Sequence, residues 1–196
     1  VGVFAAALAY QALSAVYDYR RSLLPDTKPT EDLPNTPFAW MAAGALPQSL
    51  LFSLGWLLFT LGTLGALWLA LLSGWPVLFF SGLSVLLFLA SFAPPLAYAY
   101  RGWAIGELGI AIAFGLLPLL AGFYTQSQSL DWLAVLGGLP LLLLVLVIVL
   151  NDNLGSWRRD WKMGKRTLPV LIGPARTLDL SAAFTWGAYT TVLLVT

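Results

Sequence analysis

One polar stretch carries most of the residues that could do chemistry. Residues 151–173 read NDNLGSWRRDWKMGKRTLPVLIG and directly follow a long apolar run. On a helix, Asp152, Ser156 and Asp160 share one face, because side chains four residues apart are neighbours. Lys165 and Arg166 follow closely and can bind an anionic ligand beside these carboxylates. The stretch therefore predicts a polar site at the end of an apolar helix.

A second polar stretch lies near the start of the chain. Residues 10–21 read YQALSAVYDYRR. If the helix continues to the end of this run, Gln11, Ala15 and Asp18 fall on one face. This face brings one carboxylate, whereas the face in the first stretch brings two. We expect the two stretches to meet and form one site.

The composition shows which elements must position these residues. The chain is 59% hydrophobic and only 10% charged, whereas a soluble domain carries roughly 25% charged residues. Its Leu-rich runs reach the length of about 20 residues that crosses a bilayer. Without cysteine or histidine, the chain has no disulfides, thiolate metal sites or imidazole bases. We predict an all-α polytopic membrane protein, and the net charge of +1 argues against a nucleic-acid partner.

Six spans are predicted within a single transmembrane domain, residues 1–196. Pro47 and Pro76 are expected at helix starts, and Pro94 with Pro95 should end or kink the third span. No signal peptide is visible, and both ends of the sequence lie inside apolar runs, so we expect a chain truncated at both ends. The predicted spans are 1–17, 46–73, 76–98, 103–124, 131–150 and 177–196.

The basic residues predict the orientation of these spans. If the spans alternate, segments 18–45, 99–102 and 151–176 lie on one side and contain all ten Lys and Arg residues. The opposite loops, 74–75 and 125–130, contain none. Because Lys and Arg accumulate on the cytoplasmic side, we expect both polar loops, 18–45 and 151–176, to face the cytoplasm of a bacterial membrane.

The polar segments resemble a known family. Residues 160–173 resemble the second aspartate motif of the UbiA superfamily of intramembrane prenyltransferases, in particular its 1,4-dihydroxy-2-naphthoate branch in the menaquinone pathway. Segments 18–21 (DYRR) and 34–37 (PNTP) are similar to the first motif and its following loop. Segments 100–107 (YRGWAIGE) and 122–126 (GFYTQ) are similar to the mid-chain signature of that branch.

The resemblance implies a fold, a cofactor and site residues. The fold is a UbiA-type helical bundle of about eight or nine spans, of which six are visible here. Two facing aspartate motifs bind Mg²⁺, which bridges to a polyprenyl diphosphate. The metal withdraws charge from the diphosphate as that group leaves. The implied metal ligands are Asp18, Asp152 and Asp160. The implied diphosphate-binding residues are Asn153, Lys165 and Arg166.

Both motifs depart from the family pattern at their leading aspartate. The first motif of the family reads Asn-x-x-Asn-Asp-x-x-Asp. When its last aspartate is aligned with Asp18, its leading aspartate falls on Ala15. When the last aspartate of the second motif is aligned with Asp160, the Arg-Asp pair of that motif falls on Gly155 and Ser156. Because each lost charge-stabilising interaction costs roughly 10²–10³ in rate, we predict that prenyl transfer is lost.

Two functions of different class follow. The first is a catalytically degenerate structural subunit, or a subunit that binds a prenyl lipid or quinone, in a photosynthetic or respiratory membrane complex. Such a subunit needs no metal. The alternative is an active Mg²⁺-dependent transferase that moves a polyprenyl group from its diphosphate to an aromatic acceptor such as 1,4-dihydroxy-2-naphthoate.

Glu107 and Arg101 complete the candidate residues. A carboxylate just inside a span is costly unless it faces protein or water, so Glu107 is either a site residue or the partner of Arg101 on the same edge. A transporter is disfavoured, because the charged residues inside the predicted spans all lie near span ends.

Overall fold

The computed structural model describes residues 2–22, 37–102 and 104–195, and this part of the chain is helical without any strand. Residues 34–36 of the predicted motif loop, and half of loop 18–45, lie outside the described residues. A 3₁₀ turn at Tyr98–Tyr100 precedes α5, and a π turn at Ile112–Leu116 joins α5 to α6. The helices are α1 (Gly2–Ser22), α2 (Pro37–Ala42), α3 (Gln48–Ser73), α4 (Trp75–Phe92), α5 (Ile105–Ala111), α6 (Leu117–Ser127), α7 (Trp132–Lys162), α8 (Leu168–Ile172) and α9 (Pro174–Val195).

Four helices of the described chain are long and apolar enough to cross a membrane. They are α3, α4, the continuous α5–α6 unit at Ile105–Ser127, and α7. Each corresponds to one predicted span. The other two predicted spans coincide with α1 and α9, helices of 21 and 22 residues that are not among these four. The predicted all-α polytopic bundle is therefore confirmed.

Prolines set the helix ends where the sequence predicted them. Pro47 is the N-cap of α3, and Pro76 lies in the first turn of α4, where its missing N–H leaves no hydrogen bond unmade. Helix α4 ends at Phe92, two residues before Pro94, because proline removes a backbone donor and clashes with the preceding turn. The third span is therefore shorter than the predicted range, 76–98.

Helix α7 extends further than its predicted span. It continues through residues 151–162 of the segment expected as a polar loop, and α8 and the start of α9 occupy further parts of that segment. Arg159 and Lys162 lie in its last turn, where cations stabilise the negative end of a helix dipole. The chain leaves the helix at Met163 and turns at Gly164, whose φ is +70°.

The bundle packs as two helix pairs joined through its middle. Helix α1 lies along α3, and α7 lies along α9, with α4, α5 and α6 between the pairs. A side chain at Gly55 would place its Cβ 2.8 Å from Leu13, so this glycine lets α1 and α3 approach closely.

An aromatic cluster fills the middle of the bundle. Tyr10 from α1 and Phe88 from α4 lie 5.7 Å apart between ring centroids, and Phe59 from α3 stacks on Phe88 at 5.1 Å. Phe92 and the ring of Tyr100 belong to the same core. Ring pairs at these separations add attraction beyond simple apolar burial.

An apolar cavity of about 340 Å³ adjoins this aromatic cluster. It is open on one side and lined by α1, α3, α4, the π turn and α6, with Phe59, Phe88 and Phe114 among its lining residues. Gly65 and Gly122 also line it, and the space around their Cα atoms is open. Cavities of this size and character hold the apolar part of a small ligand.

Candidate functional site

The site is built where the end of α1, the turn before α5 and the end of α7 meet. Asp18 is 6% exposed and lies near the end of α1. Its Oδ1 accepts a hydrogen bond from the Tyr100 hydroxyl, and its Oδ2 accepts one from Lys165 Nζ at 3.3 Å. One carboxylate of the first motif is thus joined to the cation of the second.

The backbone of segment 164–168 is fixed by neighbouring elements, which determines where Lys165 points. The Lys165 N–H donates to the Asp160 carbonyl at 2.8 Å, and the Arg166 N–H donates to the Tyr100 carbonyl at 3.3 Å. The Leu168 N–H donates to Glu107 Oε1 at 2.7 Å. These bonds hold the short connection between α7 and α8 against α5 and the 3₁₀ turn.

The electrostatics keep Lys165 charged and Tyr100 protonated. Burial alone lowers the pKa of the Lys165 ammonium, but the negative charges of Asp18 and Asp160 outweigh it and raise that pKa above its ordinary value. Burial raises the pKa of the Tyr100 hydroxyl, and the neighbouring Asp18 carboxylate raises it further. Lys165 is therefore a cation, and Tyr100 a hydrogen-bond donor, at physiological pH.

Asp160 is completely buried in the last turns of α7. Its Oδ2 accepts hydrogen bonds from Ser156 Oγ at 3.1 Å and Thr167 Oγ1 at 3.4 Å. Its Oδ1 lies 3.8 Å from Arg159 Nη2. Among the described residues, neither Asp160 Oδ1 nor Arg159 Nε has a hydrogen-bond partner, although both atoms are buried.

Glu107 is a structural link and does not pair with Arg101. Its carboxylate is 3% exposed, and Oε1 accepts from Asn153 Nδ2 at 3.0 Å as well as from Leu168 N. The exposed Arg101 instead donates to the Pro95 carbonyl at 3.0 Å. Glu107 therefore does not form the expected pair with Arg101, and it links α5, α7 and α8 instead.

Two candidate residues lie away from the buried carboxylates. Asp152 is exposed, so the prediction that it shares a face with Asp160 is wrong. A side chain eight positions before Asp160 is rotated about 80° around the helix from it. Arg166 is also exposed, and within the described residues its side chain has no hydrogen bond or ion pair. Arg166 borders the site as a cation available to a ligand.

Three residues that the motifs did not assign to the site lie in it. Tyr100 donates to Asp18, and the Arg21 guanidinium lies 3.8 Å from the centre of the Tyr100 ring. Arg159 contacts Asp160 and covers the Phe38 ring at 4.7 Å. All three lie in the polar segments that carry the basic residues, which is the one signal for them in the sequence.

The donor set around Asp18 and Asp160 does not fit a pair of Mg²⁺ ions. Mg²⁺ requires several oxygen ligands in near-octahedral geometry, and the positions of two further aspartates are Ala15 and Ser156. Both Asp18 oxygens already accept protein hydrogen bonds. In the described parts of the chain, no group of three acidic, His or Cys side chains is placed to hold a metal.

Comparison with known proteins identifies the family of this helical bundle. The model of the UbiA prenyltransferase family matches residues 1–196. The chain is 32% identical over 142 residues to a 1,4-dihydroxy-2-naphthoate octaprenyltransferase of Mycobacterium leprae, covering 69% of this chain and 46% of that protein. It is 31% identical to a UbiA prenyltransferase domain-containing protein 1 homolog of Drosophila melanogaster, covering 70% of this chain and 38% of that protein.

A third relative is a phytyltransferase. The chain is 29% identical to a 2-carboxy-1,4-naphthoquinone phytyltransferase of Synechocystis, covering 58% of this chain and 36% of that protein. The chain thus spans less than half the length of these three relatives. No solved structure matches it. The match along the whole chain, together with its apolar helical bundle, shows that this is an integral membrane protein of the UbiA prenyltransferase family.

Proposed function

We propose that this chain binds a prenyl lipid or quinone and does not transfer prenyl groups. The observation that carries the proposal is the contact between Lys165 Nζ and Asp18 Oδ2. In this arrangement a cation of the chain itself joins the two motifs, where the family uses Mg²⁺. Ala15 and Ser156 supply no carboxylate to compete with it.

The apolar cavity supports the binding part of the proposal. It is about 340 Å³, and its walls are mainly apolar and aromatic side chains from four helices and the π turn. An isoprenoid tail is itself apolar, so such a cavity accepts part of it through the hydrophobic effect. Phe88 lines the cavity and packs in the same core as Tyr100, which donates to Asp18.

We further propose that the protein works as a subunit of a photosynthetic or respiratory membrane complex that uses quinones or pigments. The apolar bundle and its cavity support this role, because they suit a complex that handles apolar quinones or pigments. Mild-detergent extraction of native membranes, followed by native mass spectrometry, tests it. We expect a stoichiometric assembly that carries quinone or pigment, and recovery of the chain free of other proteins would contradict this role.

The alternative is an active Mg²⁺-dependent prenyltransferase. The buried Asp160 Oδ1 favours it, because this oxygen has no hydrogen-bond donor in the part of the chain that the structure describes. The names of the naphthoate relatives favour it as well. In that case Asp18, Asp152 and Asp160 are the metal ligands, and Asn153, Lys165 and Arg166 bind the diphosphate.

A turnover assay separates the two functions. The purified chain is incubated in detergent with labelled polyprenyl diphosphate, 1,4-dihydroxy-2-naphthoate and Mg²⁺, beside an active relative. We expect no product from the folded chain under conditions in which the relative turns over. Product formation that disappears in EDTA would overturn the proposal and establish the alternative.

A further inference from the structure

The apolar cavity beside the aromatic cluster carries no charge. Within the described chain, every residue that lines it is uncharged. The cavity lies in the half of the bundle opposite Asp18 and Lys165, because its lining includes Val3 at the start of α1 and Val77 at the start of α4. An ion would lose its hydration here without gaining a partner, so the cavity suits an uncharged ligand.

Three aromatic rings separate this cavity from the charged end of the bundle. Between ring centroids, Tyr10 lies 5.7 Å from Phe88 and 5.5 Å from Phe114, and Phe88 lies 6.1 Å from Phe114. Rings at these separations are in contact, so no further ring fits between them. A ligand in the cavity therefore does not reach Lys165, and it enters from the bilayer through the open side.

Small residues create the space inside the cavity. Its volume of about 340 Å³ lies near the lower end of the range of roughly 300–1,000 Å³ for small-molecule pockets. A Cβ added at Gly65 or Gly122, which both line the cavity, meets no atom within 4 Å. Gly122 is the first residue of segment 122–126 (GFYTQ), so this segment keeps one wall of the cavity open. The space suits a compact ring system rather than a whole polyprenyl chain.

Hydroxyl groups supply the polar contacts inside the cavity. Thr63, Ser84 and Thr125 line it and donate to carbonyls of their own helices. Ser81 lines it as well, and in the described parts of the chain its hydroxyl has no hydrogen bond. An unpaired polar group is costly inside a bilayer, where no water can satisfy it. Ser81 therefore indicates a ligand that brings an acceptor oxygen.

We propose that this cavity binds the ring of a neutral quinone. The carbonyl oxygens of a quinone accept hydrogen bonds and carry no charge, which matches the Ser81 hydroxyl and the uncharged walls. The ring contacts Phe88 and Phe114 at the inner end of the cavity, and a tail leaves through the open side into the bilayer. This inference rests on the proposed function and selects the quinone from its two ligands.

The experiment measures retention of tritiated 2-methyl-1,4-naphthoquinone by the purified chain in lipid nanodiscs, with empty nanodiscs as the blank. The chain has no cysteine with which this quinone would react. The competitors are 2-methylnaphthalene, which has the same rings without carbonyls, and geranylgeraniol, a prenyl alcohol without a ring. We expect saturable binding of the quinone, and binding of 2-methylnaphthalene that is about three- to tenfold weaker because it makes no hydrogen bond.

Other results of the same measurement would overturn the inference. Absence of saturable quinone binding would do so, and so would equal binding of the two ring compounds. Tighter binding of geranylgeraniol than of the quinone would overturn the assignment to a ring and leave the proposed function with a prenyl lipid. Inorganic pyrophosphate with Mg²⁺ should not displace the quinone, and displacement would contradict a site separated from the charged end.

Four variants locate the ligand. Gly122→Leu and Gly65→Leu fill the cavity and should weaken quinone binding about tenfold or more, whereas the unfolding midpoint should stay or rise, because leucine is the better helix former. Gly82→Leu is the matched control, since an added Cβ at Gly82 also meets no atom within 4 Å and Gly82 does not line the cavity. It should leave binding unchanged. Ser81→Ala should weaken binding of the quinone about three- to tenfold and leave that of 2-methylnaphthalene unchanged.

Equal losses of binding in Gly122→Leu and Gly82→Leu would overturn the placement of the ring in this cavity. None of these results bears on prenyl transfer, which the turnover assay measures separately. Turnover would overturn the proposed function, and the quinone site would still be decided by its own binding measurement.

Discussion

At the scale of single residues, the site depends on one buried ion pair. Lys165 and Asp18 are 14% and 9% exposed in their side chains, so removal of one partner leaves a charge with little water to solvate it. Removal of both partners leaves neutral groups. The effects of the two single substitutions on the free energy of unfolding should therefore not be additive.

A double-mutant cycle tests this pair. We expect Asp18→Asn and Lys165→Met each to lower the midpoint of thermal unfolding in detergent, and the double variant to lower it by less than the two effects together. The coupling free energy should be about 1–3 kcal/mol. Additive effects within about 0.5 kcal/mol would mean that the two groups do not interact.

Glu107 is expected to act as a positioning residue for segment 164–168. Glu107→Leu removes the acceptor of both Asn153 and the Leu168 N–H, and should destabilise the fold by about 2–4 kcal/mol, since each buried unpaired group costs about 1–3 kcal/mol. Glu107→Gln keeps an acceptor oxygen and should recover much of this loss.

The control is Asp152→Leu, because Asp152 is an exposed carboxylate. It should leave both the unfolding midpoint and ligand binding nearly unchanged. An equal effect of Asp152→Leu and Glu107→Leu would show that Glu107 holds nothing specific in place.

At the scale of the helices, the sequence predicted the apolar spans well and the polar contacts poorly. Spans follow from long apolar runs, and helix ends follow from local signals such as Pro47 and Pro76. The link between Glu107 and Leu168 joins residues 61 positions apart, and no local pattern predicts such a pair. The motif resemblance drew attention to Asp18, Asp160 and Lys165, but not to the cation–π contact of Arg21 with Tyr100.

Helix α7 continues beyond residue 150, where the predicted span ends. Residues 151–162 are polar, so hydropathy alone ends the span at 150. They contain no proline, but Asn, Asp, Gly and Ser are weak helix formers, so propensity alone does not predict the continuation. Contacts such as that of Asn153 with Glu107 hold this part of the helix in place. Hydropathy thus gives the edge of the apolar run and not the end of the helix.

Close packing of the π turn against α7 gives a prediction at this scale. A Cβ at Gly115 would lie 2.9 Å from the Leu142 Cα, which is backbone and cannot move aside by a rotamer change. We expect Gly115→Ala to destabilise the bundle by about 1–3 kcal/mol through overpacking, measured by thermal unfolding in detergent.

Gly137→Ala is the matched control within α7. No atom lies within 4 Å of its added Cβ, so the substitution should be neutral or stabilising by up to about 1 kcal/mol, as expected for Gly→Ala in a helix. Equal destabilisation by both substitutions would contradict the close contact at Gly115.

At the scale of the whole molecule, the polar elements meet at one end of the bundle. The end of α1, the turn at Tyr98–Tyr100 and the segment after α7 contact one another, as alternating spans require. We propose that this end is cytoplasmic, because it carries the basic residues.

Cysteine labelling in intact cells tests the orientation, since the sequence contains no cysteine. A membrane-impermeant maleimide should label Ser129→Cys, in the connection between α6 and α7, from outside the cell. Lys162→Cys, at the polar end, should react after the membrane is permeabilised. The reverse pattern would invert the proposed topology.

We propose that Lys165 takes the place of the metal between Asp18 and Asp160. The most direct measurement is a Mn²⁺ titration followed by electron paramagnetic resonance, with Mn²⁺ in the role of Mg²⁺ because both prefer oxygen ligands. The double variant Ala15→Asp, Ser156→Asp restores the carboxylates of the family pattern and serves as the comparison. We predict that the native chain leaves Mn²⁺ free at concentrations at which the double variant binds it. Stoichiometric Mn²⁺ binding by the native chain that Asp18→Asn or Asp160→Asn abolishes would contradict the account.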